Sequence, residues 1–363
     1  MSVSHPEDTT PSIDTLSDDA FQAHLLQGVS RTFALTIPQL PPGLAQPVAN
    51  AYLLCRIVDT IEDEVALDSA QKRRFFQQFS RVARGEELPF ALRDDLAPLL
   101  SEQTLPAERE LIGVLPRVIS ITHSFDPVQQ DALACCVEIM ARGMAEFQDR
   151  DLSSGLAAMD EMSTYCYYVA GVVGEMLTKL FCHYSEEIAA HHDEMMALAV
   201  SFGQGLQMTN ILKDLWDDHD RGVCWLPQDV MGAAGFDLRE LRPRHNSPEF
   251  RAGFRQLIGI AHGHLKNALG YTLLIPPRET GLREFCLWAL GMAVLTLRKI
   301  SGHLDFSASS EVKITRRSVK TTIAASRLLR SNNLGLRAAF ALASTGLPSI
   351  TPDLAALPNH TKI

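Results

Sequence analysis

Apolar residues recur at intervals of three and four along most of this chain, in segments numbered 45–65, 127–150, 156–184, 186–219, 247–274, 281–304 and 316–340. That spacing lines one face of a helix, and the segments are longer than strands usually run. Stretches alternating with period two are scarce, so the chain predicts an all-α fold. Pro41 and Pro42 suit a helix entry, and Arg221-Gly222 with Pro227 ends the helical segment before them. Pro-, Gly- and Ser-rich stretches near 85–107, 232–248 and 275–281 are too short to demand a domain boundary. The expected organisation is a flexible segment at 1–17, one helical domain at 18–345 and a polar tail at 346–363.

Two helical segments carry carboxylates beside their apolar stripe. In CRIVDTIEDE, Leu54, Ile57, Val58, Ile61 and Val65 form the stripe. Asp59, Glu62 and Asp63 fall at i, i+3 and i+4 and share the neighbouring face. GLQMTNILKDLWDDHDRG repeats the spacing with Asp214, Asp217 and Asp218, beside Met208, Ile211, Leu212 and Leu215. Gln207 and Asn210 extend this second polar stripe toward the N-terminus. A single such cluster is most simply a solvated helix face. Two of them, with Arg56 and Lys213 just upstream, point to bound cations. Oxygen ligands without Cys or His suit Mg²⁺ or Mn²⁺ rather than zinc. Mg²⁺ takes one or two carboxylates and leaves other positions to water and phosphate oxygens, so facing acidic helices could hold several ions around a diphosphate.

Composition excludes other classes. The chain has 363 residues, 46% of them hydrophobic, enough for a large core. Its net charge of −10 argues against nucleic acid as a partner. Seven cysteines without a C-x-x-C pair form neither a disulfide framework nor a zinc motif, which places the protein in a reducing cytoplasm. The acidic start lacks the features of a signal peptide, and the apolar run 285–297 is too short to span a bilayer. A monomer is expected, with peripheral contact at the inner face of the membrane left open.

Several motifs between Ser30 and Ser318 resemble, in order, those of the squalene/phytoene synthase family of all-α head-to-head prenyl transferases. They are SRTF at 30–33, DTIED at 59–63, GMAEF at 143–147, YCYYVAGVVG at 165–174, QMTNILKDLWDD at 207–218, FC at 285–286 and VKI at 312–314. The resemblance implies an isoprenoid-synthase-type helical bundle around a central cavity. It also implies a two-stage reaction. Two farnesyl diphosphates would condense to presqualene diphosphate, which would then ionise, rearrange and take a hydride from NADPH to give squalene. Asp59, Glu62, Asp63, Asp214, Asp217 and Asp218 would hold the metal ions and diphosphates. Arg31, Arg56 and Lys213 would contact phosphate oxygens, with Gln207 and Asn210 orienting the assembly. Tyr165 would move the proton when the cyclopropane closes, and Phe33 and Phe285 would flank the carbocation. In VKITRRSVK, Lys313 and Arg316 would bind NADPH together with Arg221.

The chain departs from the family pattern in places. Lys213 stands where an Arg is frequent, exchanging a planar fork for a point charge. Val223 occupies the place of an Arg found in eukaryotic members, with Arg221 two residues earlier, and Ala289-Leu290 replace a Pro-Gln pair. Non-reductive siblings making dehydrosqualene, hydroxysqualene or phytoene would need the same acidic helices. A non-catalytic helical assembly factor would not need them.

Overall fold

The structure, a computed structural model, describes residues 13–30, 32–244 and 247–362. Within them the chain is helical and has no β-strand; a lone bridge joins Leu156 to Pro227. The longer helices are α1 (Asp18–Val29), α2 (Pro42–Asp63), α3 (Ser69–Arg84), α4 (Pro127–Phe147) and α5 (Met159–Cys166). They continue with α6 (Val172–Tyr184), α7 (His192–Asp220), α8 (Pro248–Leu274), α9 (Thr280–Gly302), α10 (Arg316–Leu329) and α11 (Asn333–Ala343). α7 lies at the centre, packed along α8 and touching α6 and α9, while α2 packs on α1, α3 and α4. α6 contacts both α2 and α7, so the two acidic helices belong to one body.

Local chemistry explains most boundaries. Pro42 opens α2 at a position where its missing N–H is harmless. Asp126 caps α4 by accepting from Val128 N and Gln129 N at 2.9 and 3.1 Å. Three predicted segments are not single helices. The segment 156–184 is interrupted by a π-helical turn at Tyr167–Gly171, which joins α5 to α6. Segment 186–219 breaks at His191, whose backbone (φ −107, ψ 15) is not helical. Segment 316–340 divides because Asn332 leaves the helix and caps α11, accepting from Gly335 N at 3.0 Å.

Glycine decides how closely the π turn and α6 approach α7. A Cβ at Gly174 would stand 2.3 Å from the Ala199 carbonyl oxygen, and one at Gly203 would stand 2.2 Å from that of Ala170. Backbone therefore lies directly on backbone at this contact. α9 is long and apolar enough to cross a membrane by length and composition, but 56% of its apolar window is buried in the bundle, as in a core helix.

The segment after α11 folds back over α8. Ile350 N donates to the Gly259 carbonyl at 2.9 Å, and the Pro348 carbonyl accepts from His262 Nδ1 at 2.7 Å. Farther on, His360 Nδ1 meets Glu175 Oε1 at 3.0 Å, and Glu175 Oε2 accepts from the Tyr167 hydroxyl at 2.9 Å. The residues after the helical domain thus reach the interior of the π turn.

The α7–α8 contact contains a titratable group. His264 is 2% exposed and bonds Ser201 Oγ through Nδ1 at 2.8 Å. Burial pushes its pKa down to about 4. The unfolded chain therefore takes up this proton first, and stability is lost as pH falls from about 6.5 towards 4, by roughly 3 kcal/mol. His264→Gln should flatten that part of the stability–pH profile in urea titrations between pH 4 and 7.

Candidate active site

The apolar stripe of α2 is fully buried at Leu54, Ile57, Val58 and Ile61, which leaves the adjoining face at the rim of the core for Asp59, Glu62 and Asp63. Arg56 lies one turn earlier. Its Nη1 is 3.6 Å from Asp59 Oδ2 and 3.7 Å from Glu108 Oε1, and its Nη2 donates to the Tyr52 hydroxyl at 3.0 Å. Its Nε is buried with no hydrogen-bond partner. Withdrawal from water pushes the Asp59 carboxyl up to about 6; Arg56 opposes this, while Asp63 and Glu108 add to it. Glu62 rises to about 8, through burial and then the charges of Asp59 and Asp63, against the pull of Lys72 and Arg221. Lys72 also donates to the Glu62 carbonyl.

α7 brings the second cluster to the same place. Leu212, Leu215 and Trp216 enter the core, Asp214 pairs with Lys213 Nζ at 2.8 Å, and Asp217 is exposed. Asp218 is buried, and that burial raises its pKa; Arg221 opposes the rise, while Asp214 and Asp217 add to it. After α7 the backbone turns through Gly222 at φ +77, and Val223 N returns to the Asp218 carbonyl at 3.0 Å. Arg221 then spans the two helices, with Nη2 2.5 Å from Asp218 Oδ1 and Nη1 3.7 Å from Asp63 Oδ1.

Tyr165 completes the constellation. The loops before α5 and after α7 pair through Leu156 N to the Leu226 carbonyl (3.0 Å), Gln228 N to the Leu156 carbonyl (2.8 Å) and Cys224 N to the Leu152 carbonyl (2.9 Å). Gly155, at φ +89, permits this approach, since a Cβ there would stand 2.6 Å from the Leu226 carbonyl oxygen. The pairing lays Trp225 on the Tyr165 ring, centroids 3.7 Å apart and planes 13° apart, with Phe147 edge-on at 5.2 Å. Burial raises the Tyr165 pKa well above the usual phenol value, and Glu62, Cys166, Asp59 and Asp63 add to the shift. The hydroxyl is therefore neutral at physiological pH, facing the first acidic cluster electrostatically.

Residues 26–318 match the family model described as squalene/phytoene synthase. The chain belongs to the squalene/phytoene synthase family. It is similar to squalene synthase ERG9 of Candida albicans, 29% identical over 283 residues that cover 76% of this chain and 60% of that protein. It is also similar to the probable squalene synthase of Neurospora crassa, 31% identical over 293 residues covering 80% and 58% respectively. The matched region thus spans about three-fifths of the length of these relatives. Among solved structures, TcSQS in complex with a ligand aligns with a TM-score of 0.72 at 24% identity, over 95% of this chain and 94% of that one. A dehydrosqualene synthase aligns with a TM-score of 0.64 at 20% identity, over 86% and 95%. These likenesses show the fold: a single-domain helical bundle of the isoprenoid-synthase type.

Against the family motifs, the structure gathers Arg56, Asp59, Glu62, Asp63, Lys213, Asp214, Asp217, Asp218 and Tyr165 about one region. Phe33 joins its edge, with its ring 4.6 Å from that of Tyr52, the partner of Arg56. Arg221, expected beside the cofactor cations, has the acidic clusters as its partners instead. Gln207 is half-buried and Asn210 exposed on the α7 face leading to Asp214. Phe285 packs edge-on against Phe181 at 6.4 Å, and Lys313 and Arg316 are exposed beyond α9. Among the described residues, no ion pair, hydrogen bond or ring contact joins those three to the acidic clusters. Arg31 lies outside the described residues. The sequence reading missed Trp225, Phe147, Tyr52, Glu108 and Lys72. Only GMAEF, which ends at Phe147, carried a signal for any of them.

The Arg221 bridge can be measured directly. A double-mutant cycle of Arg221→Gln and Asp63→Asn, followed by urea denaturation with EDTA present, should give a coupling of about 0.2–1 kcal/mol. It should be no larger, because the Arg221 side chain is 64% exposed. Zero coupling would remove Arg221 as the link between α2 and α7.

Proposed function

We propose that this protein is a divalent-metal-dependent squalene synthase, condensing two farnesyl diphosphates to presqualene diphosphate and reducing that intermediate to squalene with NADPH. The observation that carries the reading is the meeting of two acidic helix ends across Arg221, beside a buried tyrosine. The names of the family relatives point to the same activity.

The residues fit the implied groups. Among the described residues no three His, Cys, Asp or Glu side chains form a ready metal cage. Mg²⁺ does not require one, since one or two carboxylates suffice when phosphate oxygens and water complete its shell. The raised pKa values of Asp59 and Glu62 come first from burial and then from neighbouring carboxylates, and a bound cation would lower both. The orphaned Nε of Arg56 is a donor waiting for an acceptor such as a phosphate oxygen. Lys313 and Arg316 are exposed and form no ion pair among the described residues, and Arg316 opens α10, where the helix dipole already favours an anion. This suits a phosphate of NADPH. When bound, the metal would draw charge from the leaving diphosphate, and NADPH would supply the hydride.

In this reading Arg56 and Lys213 grip phosphate oxygens, and Arg221 swings from its carboxylate partners to the diphosphate. Tyr165, neutral and stacked on Trp225, takes part in proton transfer at cyclopropane closure; its high pKa means that a departing diphosphate must receive the proton in the end. Trp225, Phe147 and the Phe33–Tyr52 pair offer ring faces to a developing carbocation and keep water away.

Purified protein with farnesyl diphosphate and Mg²⁺ should give presqualene diphosphate, and squalene only when NADPH is added, by mass spectrometry. A C30 alcohol or dehydrosqualene regardless of NADPH would replace the reductive reading with a non-reductive sibling. No turnover would sink the enzyme reading. Tyr165→Phe keeps the stacked ring and removes the hydroxyl. It should lower kcat of the first stage by about 10²–10⁴ with little change in KM.

A further inference from the structure

The bundle carries one surface that its interior does not explain. Between Val312 and Pro352 the sequence holds seven cations (Lys313, Arg316, Arg317, Lys320, Arg327, Arg330 and Arg337) and no carboxylate, in a chain of net charge −10. This stretch contains α10 and α11, both packed on α9. Arg327 and Arg330 turn inward to the buried Glu284. Arg317, Lys320 and Arg337 are exposed and have no ion pair among the described residues.

The same two helices expose leucine. Leu328 on α10 is 83% exposed, and Leu334 and Leu342 on α11 are 80% and 74% exposed. Among the exposed positions of α10, 317, 320, 321, 324 and 328 follow helical spacing, so Arg317 and Lys320 share a face with Leu328. On α11 the exposed positions 334, 337, 338, 341 and 342 do likewise, giving a stripe of Leu334, Ala338, Ala341 and Leu342 that includes Arg337. Leaving three leucines in water forgoes burial that the core could have supplied. A basic helical pair with an apolar outer stripe matches the chemistry of a surface that is anionic outside and apolar beneath.

We propose that the outer face of α10 and α11 docks on an anionic lipid bilayer, with Leu328, Leu334 and Leu342 entering the headgroup boundary and Arg317, Lys320 and Arg337 meeting lipid phosphates. The surface argument is independent of the reaction proposed above. It does give the surface a use: Arg327, on the inward side of α10, contacts Gln39, in the turn following Phe33 and the exposed Leu35, so the helix that carries the docked face adjoins the aromatic edge of the candidate active site.

The test is co-sedimentation of the full chain with phosphatidylcholine vesicles, with and without phosphatidylglycerol. Binding should appear only with phosphatidylglycerol and weaken with salt. It should fall about fivefold for each of Arg317→Gln, Lys320→Gln and Arg337→Gln. The variant L328S/L334S/L342S changes only exposed side chains, and it should lose vesicle binding while keeping the wild-type Tm and turnover in detergent. Equal binding to neutral vesicles, or no loss in the leucine variant, would overturn the proposal. A salt-resistant dimer that the same variant converts to monomer would overturn it too, by making the stripe an interface between copies of this chain.

Discussion

The carboxylates of α2 and α7 sit on the same helices whose apolar stripes build the core, one residue round from side chains that water never reaches. They cannot move apart without unpacking Leu54, Ile57 and Val58 on one side or Leu212 and Leu215 on the other. Burial holds them together, and burial first, with their mutual repulsion adding to it, raises the pKa values of Asp59, Glu62 and Asp218. Arg221 relieves part of that repulsion from an exposed position, which makes that relief weak and easily exchanged. Carboxylates held at a packed rim with raised pKa values favour a cation that would let them ionise, and the proposed metal–diphosphate assembly meets that need.

Two backbone contacts maintain this arrangement. Gly174 and Gly203 let α6 and the π turn press on α7. Gly155 lets the loop before α5 pair with the loop after α7, and that pairing brings Trp225 onto Tyr165. The aromatic wall and the acidic rim are thus consequences of one set of close approaches. The returning C-terminal segment adds to it through His360 and Glu175, which hold the hydroxyl of Tyr167 two residues beyond Tyr165.

The outer face of α10 and α11 has the opposite character. It is basic where the rest of the chain is acidic, and apolar where water would favour polar groups. Neither property helps the bundle fold, since the inward residues of these helices already supply their contacts with α9. A bilayer surface accounts for both properties together.

Helical class, the two acidic triplets and the family motifs were legible in the residues, because they rest on spacing along one helix. Spacing of three and four sets which side chains share a face, whatever the helix packs against. Asp59, Glu62, Asp63 and their counterparts on α7 could be named on that ground. The π turn, the breaks at His191 and Asn332 and the return of the tail were not legible, because each depends on a neighbour far away in the chain. Trp225, Phe147, Glu108 and Lys72 were missed for the same reason: they reach the site across loops and separate helices. Arg221 was visible as a cation, but only the turn at Gly222 and the packing of α2 beside α7 decided that it would bridge Asp63 and Asp218. Periodicity is a property of the helix alone, whereas a contact between helices depends on the close approach that their glycines and side-chain volumes allow.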